Sequence, residues 1–345
     1  MKEIILVGGL GNKKFFAGGE TGKNFNLLAA LEQNGRKVIL ANLFQLTKNP
    51  WRGVLALIKL LVHPKANIYI SSSPKRCSWL INLLYWARSK RNICYSAIGR
   101  EFSMKVVDGR LNANAFRYLS NIIVEGEAMK RELSSMGIDS IVVPNYKKME
   151  YLPSLEHKRN NGKAHFVFMS RMNEKKGVSQ IVESAKRLNS NGYGDKYIVD
   201  FYGTFEDETY KTTILERIKC MDNVNYQGVL NMGENSGFDK LAEYTAMLFP
   251  TFWPGEGFPG VLIDALMAGL PVIASDWHFN PDIVEEGKTG VLIKTQDANS
   301  LYTAMKDVIE HRDKYVKMAD YCQKTAAKYD VKNVINKEFL NKVNM

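Results

Sequence analysis

Short apolar runs alternate with amphipathic segments along the whole chain. In the first half the runs are EIILV, KVILAN, NIYIS, NICYSA, NIIVE and SIVVP; in the second they are HFVFM, YIVDFYG, NVNYQG, AMLFPT, PVIAS and GVLI. Each reads as a strand, and segments such as NFNLLAALEQNG between them read as helices. Strands that alternate with helices predict parallel α/β architecture. At 345 residues, and with about 150 residues to a domain, the pattern predicts two similar doubly wound (Rossmann-like) domains, which bind ligands at the carboxyl ends of their strands.

The stretch from Tyr146 to Lys163 contains Pro153 and the polar cluster HKRNNGK, the composition of a linker. The expected boundaries are a first domain over 1–146, a linker over 147–163, a second domain over 164–312, and C-terminal helices over 313–345 that pack against either domain, including back onto the first.

Hydrophobic residues make up 45% and charged residues 24% of the chain, as in a folded soluble protein. The four cysteines (Cys77, Cys94, Cys220, Cys322) form no CxxC pair, and the five histidines lack metal-ligand spacing. Neither a zinc site nor a disulfide framework is expected, so the reading is a cytoplasmic protein. Its N-terminus reads as a first strand and Gly-rich loop, and no apolar run is long enough to span a bilayer.

Charge changes the picture more. Residues 1–155 hold 23 Lys/Arg against 10 Asp/Glu, a net of +13, whereas the remainder nets −2. A basic half beside a neutral half predicts an anionic partner for the first domain. The segment SWLINLLYWARSKR, with Trp79, Leu80, Leu83, Leu84 and Trp86 ahead of Arg88, Lys90 and Arg91, is the sequence candidate for peripheral contact with an anionic membrane.

The most informative motif is GEGFPGVLIDALMAGLPVIASD, from Gly255 to Asp276. Pro259 suits a first helical position, and the amides of Gly260 and Val261 behind it are helix-start donors that a phosphate can approach. Asp264 lies among apolar residues of that helix, where a carboxylate needs hydrogen-bond partners; a ligand hydroxyl is one candidate and local backbone another. Glu256 precedes the helix and can project toward the same place. A second element, MSRMNEKKG, follows the strand HFVFM and sets Arg171 and Lys176 at the carboxyl edge of the sheet, a pairing suited to a diphosphate. Each cation is expected to be removable without loss of the fold.

From Phe166 to about Asp307 the chain resembles the C-terminal domain of retaining, family-four glycosyltransferases of the GT-B fold. The residues that carry the likeness are SRMNEKKG, DFYGTF, NYQGVL, PTFWPGEGFPG and LMAGLPVIASD through KTGVLI. The first half is similar more loosely, through GGETGKNFNLLAALEQNGRKV, CYSAIGREF and VEGEAMKRELSSMGI. The resemblance implies two Rossmann-like domains facing across a cleft, and transfer of a sugar from a nucleotide diphosphate donor, UDP-linked on this reading. By the same resemblance Glu256 touches the donor sugar and Asp264 the ribose. Arg171 and Lys176 neutralise the leaving diphosphate in place of a metal, so no metal or cofactor is expected. Phe258, Gly260, Val261, Gly19, Trp277 and His278 complete the expected donor site, and Arg100 is a candidate for acceptor phosphate. The loop SDWHFNPD, where the family often has glycines, resembles transferases that build bacterial capsule, exopolysaccharide or O-antigen. The implied acceptor is a saccharide or a lipid-linked saccharide.

Rival readings fit less well. AGGETGKN misses the P-loop pattern at Ala17 and Asn24, and GGLGNK lacks the last glycine of a dinucleotide fingerprint. A dinucleotide enzyme therefore rests on fold alone. A basic nucleic-acid-binding protein would need a recognition motif that is missing here, so nucleic acid is not an expected partner.

Overall fold

The computed structural model describes residues 3–11, 19–156 and 162–345. Its first sheet contains β1 (Ile4–Gly8), β2 (Val38–Asn42), β3 (Asn67–Ser72), β4 (Ile93–Ala97), β5 (Asn121–Val124) and β6 (Ile141–Val142). The second contains β7 (Ala164–Met169), β8 (Tyr197–Tyr202), β9 (Val224–Tyr226), β10 (Ala246–Phe249), β11 (Val272–Ser275) and β12 (Gly290–Ile293). Each of the twelve apolar runs read from the sequence forms one of these strands. The orders are β2-β1-β3-β4-β5-β6 and β12-β11-β10-β7-β8-β9, and every pairing is parallel, with Ile4 beside both Val38 and Asn67 and Phe166 beside both Ala246 and Val199. Central strands such as β1 and β4 are buried along their whole length. That explains their unbroken apolar character, because helices cover both faces of a parallel sheet.

The chain divides into two compact units: Met1–Lys148 with Lys328–Met345, and Met149–Ala327. The division differs from the sequence reading in two places. The first is the expected linker. Tyr146 is buried in the first unit's core, and the Lys147 backbone pairs with residues 329–331 of the same unit. Tyr151 donates a hydrogen bond to Asp239 within the second unit. Residues 157–161 of the linker lie outside the described residues.

The second is the C-terminal segment, which splits at 327/328 instead of starting a block at 313. The helix Ala319–Ala326 stays with the second unit, where Gln323 donates to the carbonyls of Pro153 and Met267. Beyond it Val331, Ile335, Phe339, Leu340 and Val343 join one apolar cluster with Ile4, Leu6, Leu31 and Tyr69. Asn67, Asn92 and Asn121, at the amino edge of the first sheet, donate their side-chain amides to the carbonyls of Val343 and Asn344. Those carbonyls, left over at a helix end, are thereby satisfied.

Helix α1 (Gly19–Gln33) buries Leu27, Ala30 and Leu31 on the first sheet. Helices α2 (Trp51–Val62) and α3 (Pro74–Trp86) follow β2 and β3. Among the described residues no helix is long and apolar enough to cross a membrane.

Candidate functional site

The strand order of the second unit reverses between β7 and β10. The first crossover from β7 leads to β8 on one side, and the strand on its other side is β10. A crevice opens outside the carboxyl ends of two strands related in this way. The segments leaving β7 and β10 are the two motifs singled out in the sequence.

After β7 the chain makes a short helical turn, Glu174–Lys176, capped by the Asn173 side chain, which accepts from the Lys176 amide at 3.1 Å. Gly177 follows with φ +80°, and a Cβ on it would sit 2.4 Å from the Pro250 carbonyl oxygen. A side chain at 177 would therefore separate the two segments. They are tied directly as well, because the Phe252 amide donates to the Lys175 carbonyl at 2.8 Å.

This approach brings Lys176 Nζ within 2.6 Å of Glu256 Oε2, with side chains only 5% and 11% exposed. Thr251 Oγ1 donates to the same carboxylate oxygen at 2.8 Å. Burial pulls the Lys176 pKa below the ordinary lysine value, and the Glu256 charge opposes that pull. The Lys176 ammonium also lies 5.5 Å from the centre of the Phe249 ring.

Arg171 occupies a wetter place. Residues 171–173 run beside 204–206, with the Met172 amide donating to the Thr204 carbonyl at 2.8 Å. That pairing puts Arg171 and Asn173 each 2.6 Å from a Glu206 oxygen. Desolvation would raise the Glu206 pKa, but the Asn173 hydrogen bond and the Arg171 charge outweigh it and hold the group below its ordinary value. The Arg171 guanidinium lies 5.3 Å from the Trp253 ring centre.

The helix Gly260–Met267 begins one residue later than expected: Pro259 is its N-cap, with extended backbone, and Gly260 and Val261 are its first two residues. Asp264 is buried in it, 6% exposed. Phe258 is also buried, its ring 6.0 Å from that of Phe279, so its side chain packs within the unit. Trp277 and His278, expected beside a donor sugar, are tied to the Glu256 loop. Trp277 Nε1 donates to the Trp253 carbonyl at 2.9 Å, and His278 Nε2 to that of Pro254 at 3.0 Å.

In the first unit, Gly19 is the exposed first residue of α1. Residues 12–18, before it, lie outside the described residues. Arg100 is held by Glu132 at 2.8 Å, so its charge is already matched locally. A pair that sequence reasoning missed is Lys23 with Glu125, 2.7 Å apart and each 3% exposed. Both residues stand in segments quoted for the resemblance, GGETGKN and VEGEAMK. Also missed were Glu206 and Thr251; Thr251 sits inside PTFWPGEGFPG, whereas Glu206 stands in a polar stretch with no signal of its own.

The expected acid and cation of the second unit thus share one buried cluster, with Arg171 five positions before Lys176 in the same segment leaving β7. Residues 154–326, half of the chain, match the family described as glycosyl transferases group 1. A colanic acid biosynthesis glycosyltransferase of Salmonella typhimurium is 27% identical over 139 residues, 39% of this chain and 33% of that protein. A phosphatidyl-myo-inositol mannosyltransferase of Mycobacterium leprae is 23% identical over 232 residues, 64% of this chain and 59% of that protein. The chain therefore spans a third of the first relative and less than two thirds of the second.

Among solved structures, Anabaena HepE in complex with UDP and glucose superposes with a TM-score of 0.71 at 16% identity, over 100% of both chains. Sucrose-phosphate synthase of Thermosynechococcus elongatus gives 0.78 at 14%, over 100% of this chain and 98% of the other. At such identities the likeness is one of fold, and that fold is GT-B. The matched residues run across the switch point and contain both segments that meet there, and on that ground the chain belongs to the group 1 glycosyl transferases.

Proposed function

We propose that the chain transfers a sugar from a UDP-linked donor to a saccharide or lipid-linked saccharide acceptor in the assembly of a bacterial surface polysaccharide. The observation that carries this reading is the buried Lys176–Glu256 pair at the switch point of the second unit. A diphosphate there would meet Lys176 and Arg171, cations whose charge-assisted hydrogen bonds stabilise the departing group without a metal. Glu256, fixed by Thr251 and Lys176, would orient the sugar, and Asp264 the ribose. HepE complexes with UDP and with UDP-glucose support the choice of donor. Relatives named for colanic acid and amylovoran biosynthesis support the choice of product.

In this reaction the bond from the anomeric carbon to the diphosphate oxygen breaks, and a bond to the acceptor hydroxyl oxygen forms on the same face. The acceptor proton passes to the departing phosphate oxygen, so no protein nucleophile is needed. What the protein supplies is position and charge.

Calorimetric titration with UDP, GDP and UDP-sugars, followed by NMR of the product linkage, tests the reading. Tight UDP binding in the presence of a chelator, with retained anomeric configuration, is expected. Selective binding of GDP would replace the donor, and an inverted product would overturn the mechanism.

A further inference from the structure

Helix α2 is built inside out. Its inward residues are Gly53, Ala56 and Leu60, and its large apolar residues face solvent. Trp51 is 72% exposed, Leu55 55%, Leu61 77% and Val62 63%, with Val54 and Ile58 also exposed. The spacing i, i+3, i+4, i+7, i+10, i+11 makes these one stripe, which in an ordinary surface helix would face the core. No charge interrupts it: Arg52 and Lys59, the cations of α2, donate to the carbonyls of Phe44 and Leu40.

The sequence around α2 carries charge of one sign, although Glu3, just before β1, reaches in to pair with His63, the residue after α2, and with Lys37. From residue 33 to residue 100, a stretch containing α2 and α3, the sequence has twelve Lys/Arg and no Asp or Glu. Lys48 and Lys65, three positions beyond either end of α2, are exposed, as are Arg88 and Lys90 after α3. On α3, Leu83 and Trp86 are exposed. The other apolar residues of the sequence candidate face inward: Leu80 and Leu84 are buried, and the Trp79 ring lies within 4 Å of a Cβ built on Gly53 of α2. Arg91 donates to the Leu60 carbonyl in the last turn of α2.

We propose that α2 lies in the headgroup–acyl boundary of an anionic bilayer, its apolar stripe inserted and the flanking cations on the lipid headgroups. An apolar interior under a negative surface matches both halves of the patch. A second copy of the same face would cover the stripe but set like charges against each other. The docking is independent of the donor reading, since it is measured with no nucleotide present.

The test is co-sedimentation of the full chain with vesicles of phosphatidylcholine alone and with added phosphatidylglycerol, at low and high salt. Binding to the anionic vesicles is expected, weakened by salt in the wild type. The triple change Leu55→Gln, Ile58→Gln, Leu61→Gln should weaken it by at least about tenfold, and Lys48→Gln with Lys65→Gln should lower both its strength and its salt dependence. All these positions are exposed, so thermal unfolding should match the wild type. Brominated acyl chains should quench tryptophan fluorescence, and Trp51→Phe should reduce the quenching, which keeps the idea testable if the triple variant misfolds. Failure of the wild type to sediment with anionic vesicles, or undiminished binding by the apolar triple variant, overturns the proposal. So does a dimer that the triple variant makes monomeric while no vesicles are bound, which would assign the face to a second copy.

Discussion

Lys176 and Glu256 stand eighty positions apart in sequence and 2.6 Å apart in space, buried together at the point where the second sheet reverses its strand order. The desolvation of two such charges cancels much of their attraction, so the pair adds little net stability while its rupture is costly. Burial of the pair therefore predicts a stability cost for removing Lys176, where the sequence alone suggested none. Arg171, more than half exposed and paired with an exposed Glu206, carries no comparable burial cost.

Lys176→Met should destabilise the protein by about 3–5 kcal/mol, because it leaves a buried carboxylate with Thr251 as its remaining close partner. Adding Glu256→Leu should restore most of the loss without restoring transfer. Urea unfolding of both singles and the double makes the cycle; strictly additive losses would mean that the two side chains are not coupled.

Arg171→Ala should behave in the opposite way. Its surface ion pair contributes less than about 1 kcal/mol to stability, whereas loss of a charge-assisted contact to a diphosphate costs about 1.5–3 kcal/mol of binding. Calorimetry with UDP and thermal unfolding of the same variant separate the two quantities. Unchanged UDP affinity would remove Arg171 from the site.

Gly177→Ala places a Cβ 2.4 Å from the Pro250 carbonyl oxygen at φ +80°. Backbone must move, at a cost of about 1–3 kcal/mol, and the movement pushes Lys176 away from Glu256. Stability and transfer should fall together. A stable but inactive variant would show instead that the segment relaxes freely and that only the ion-pair geometry suffers.

Donor binding should weaken on the alkaline side. Burial lowers the Lys176 pKa beneath its ordinary 10.5, so the charge that grips a diphosphate is lost as pH rises through a window below that value. The linked stability runs the other way: across the same window the unfolded chain holds this proton more tightly, so stability rises with pH as the cost of a buried charge is relieved. UDP affinity measured against pH in the wild type and in Lys176→Met isolates the effect, since any limb shared by both belongs to another group. Identical profiles would contradict it.

The two acids should separate by function. Glu256→Gln is expected to depress turnover more than UDP affinity, and Asp264→Asn to weaken UDP binding itself by about 1.5–3 kcal/mol, the range for a hydrogen bond to a charged group. Equal effects on turnover alone would remove Asp264 from the ribose.

The twelve strands were legible because a strand buried on both faces needs a short, continuous apolar run, and that is a local property of the chain. The Glu256 and Lys176 segments were legible for a similar reason: glycine, proline and charge at strand ends mark irregular backbone that faces ligand. The sequence did not say that these two side chains would be each other's partners. That depended on β7 and β10 being neighbours, and on Gly177 letting their exits touch. Glu206 became visible only once residues 171–173 paired with 204–206.

Other features were decided wholly by non-local packing. The amphipathic segments on either side of Ala327 look alike along the chain, yet one stays with the second unit and the other enters the core beside Ile4 and Tyr69. Periodicity likewise marks an apolar stripe on both α2 and α3 without saying which way it points. On α3 most of it faces inward, Leu80 and Leu84 being buried. On α2 the inward contacts are made by Gly53, Ala56 and Leu60, which leaves Trp51, Leu55 and Leu61 outside. A helix orients by the total area it buries against the elements around it, and that sum exists only in the folded chain.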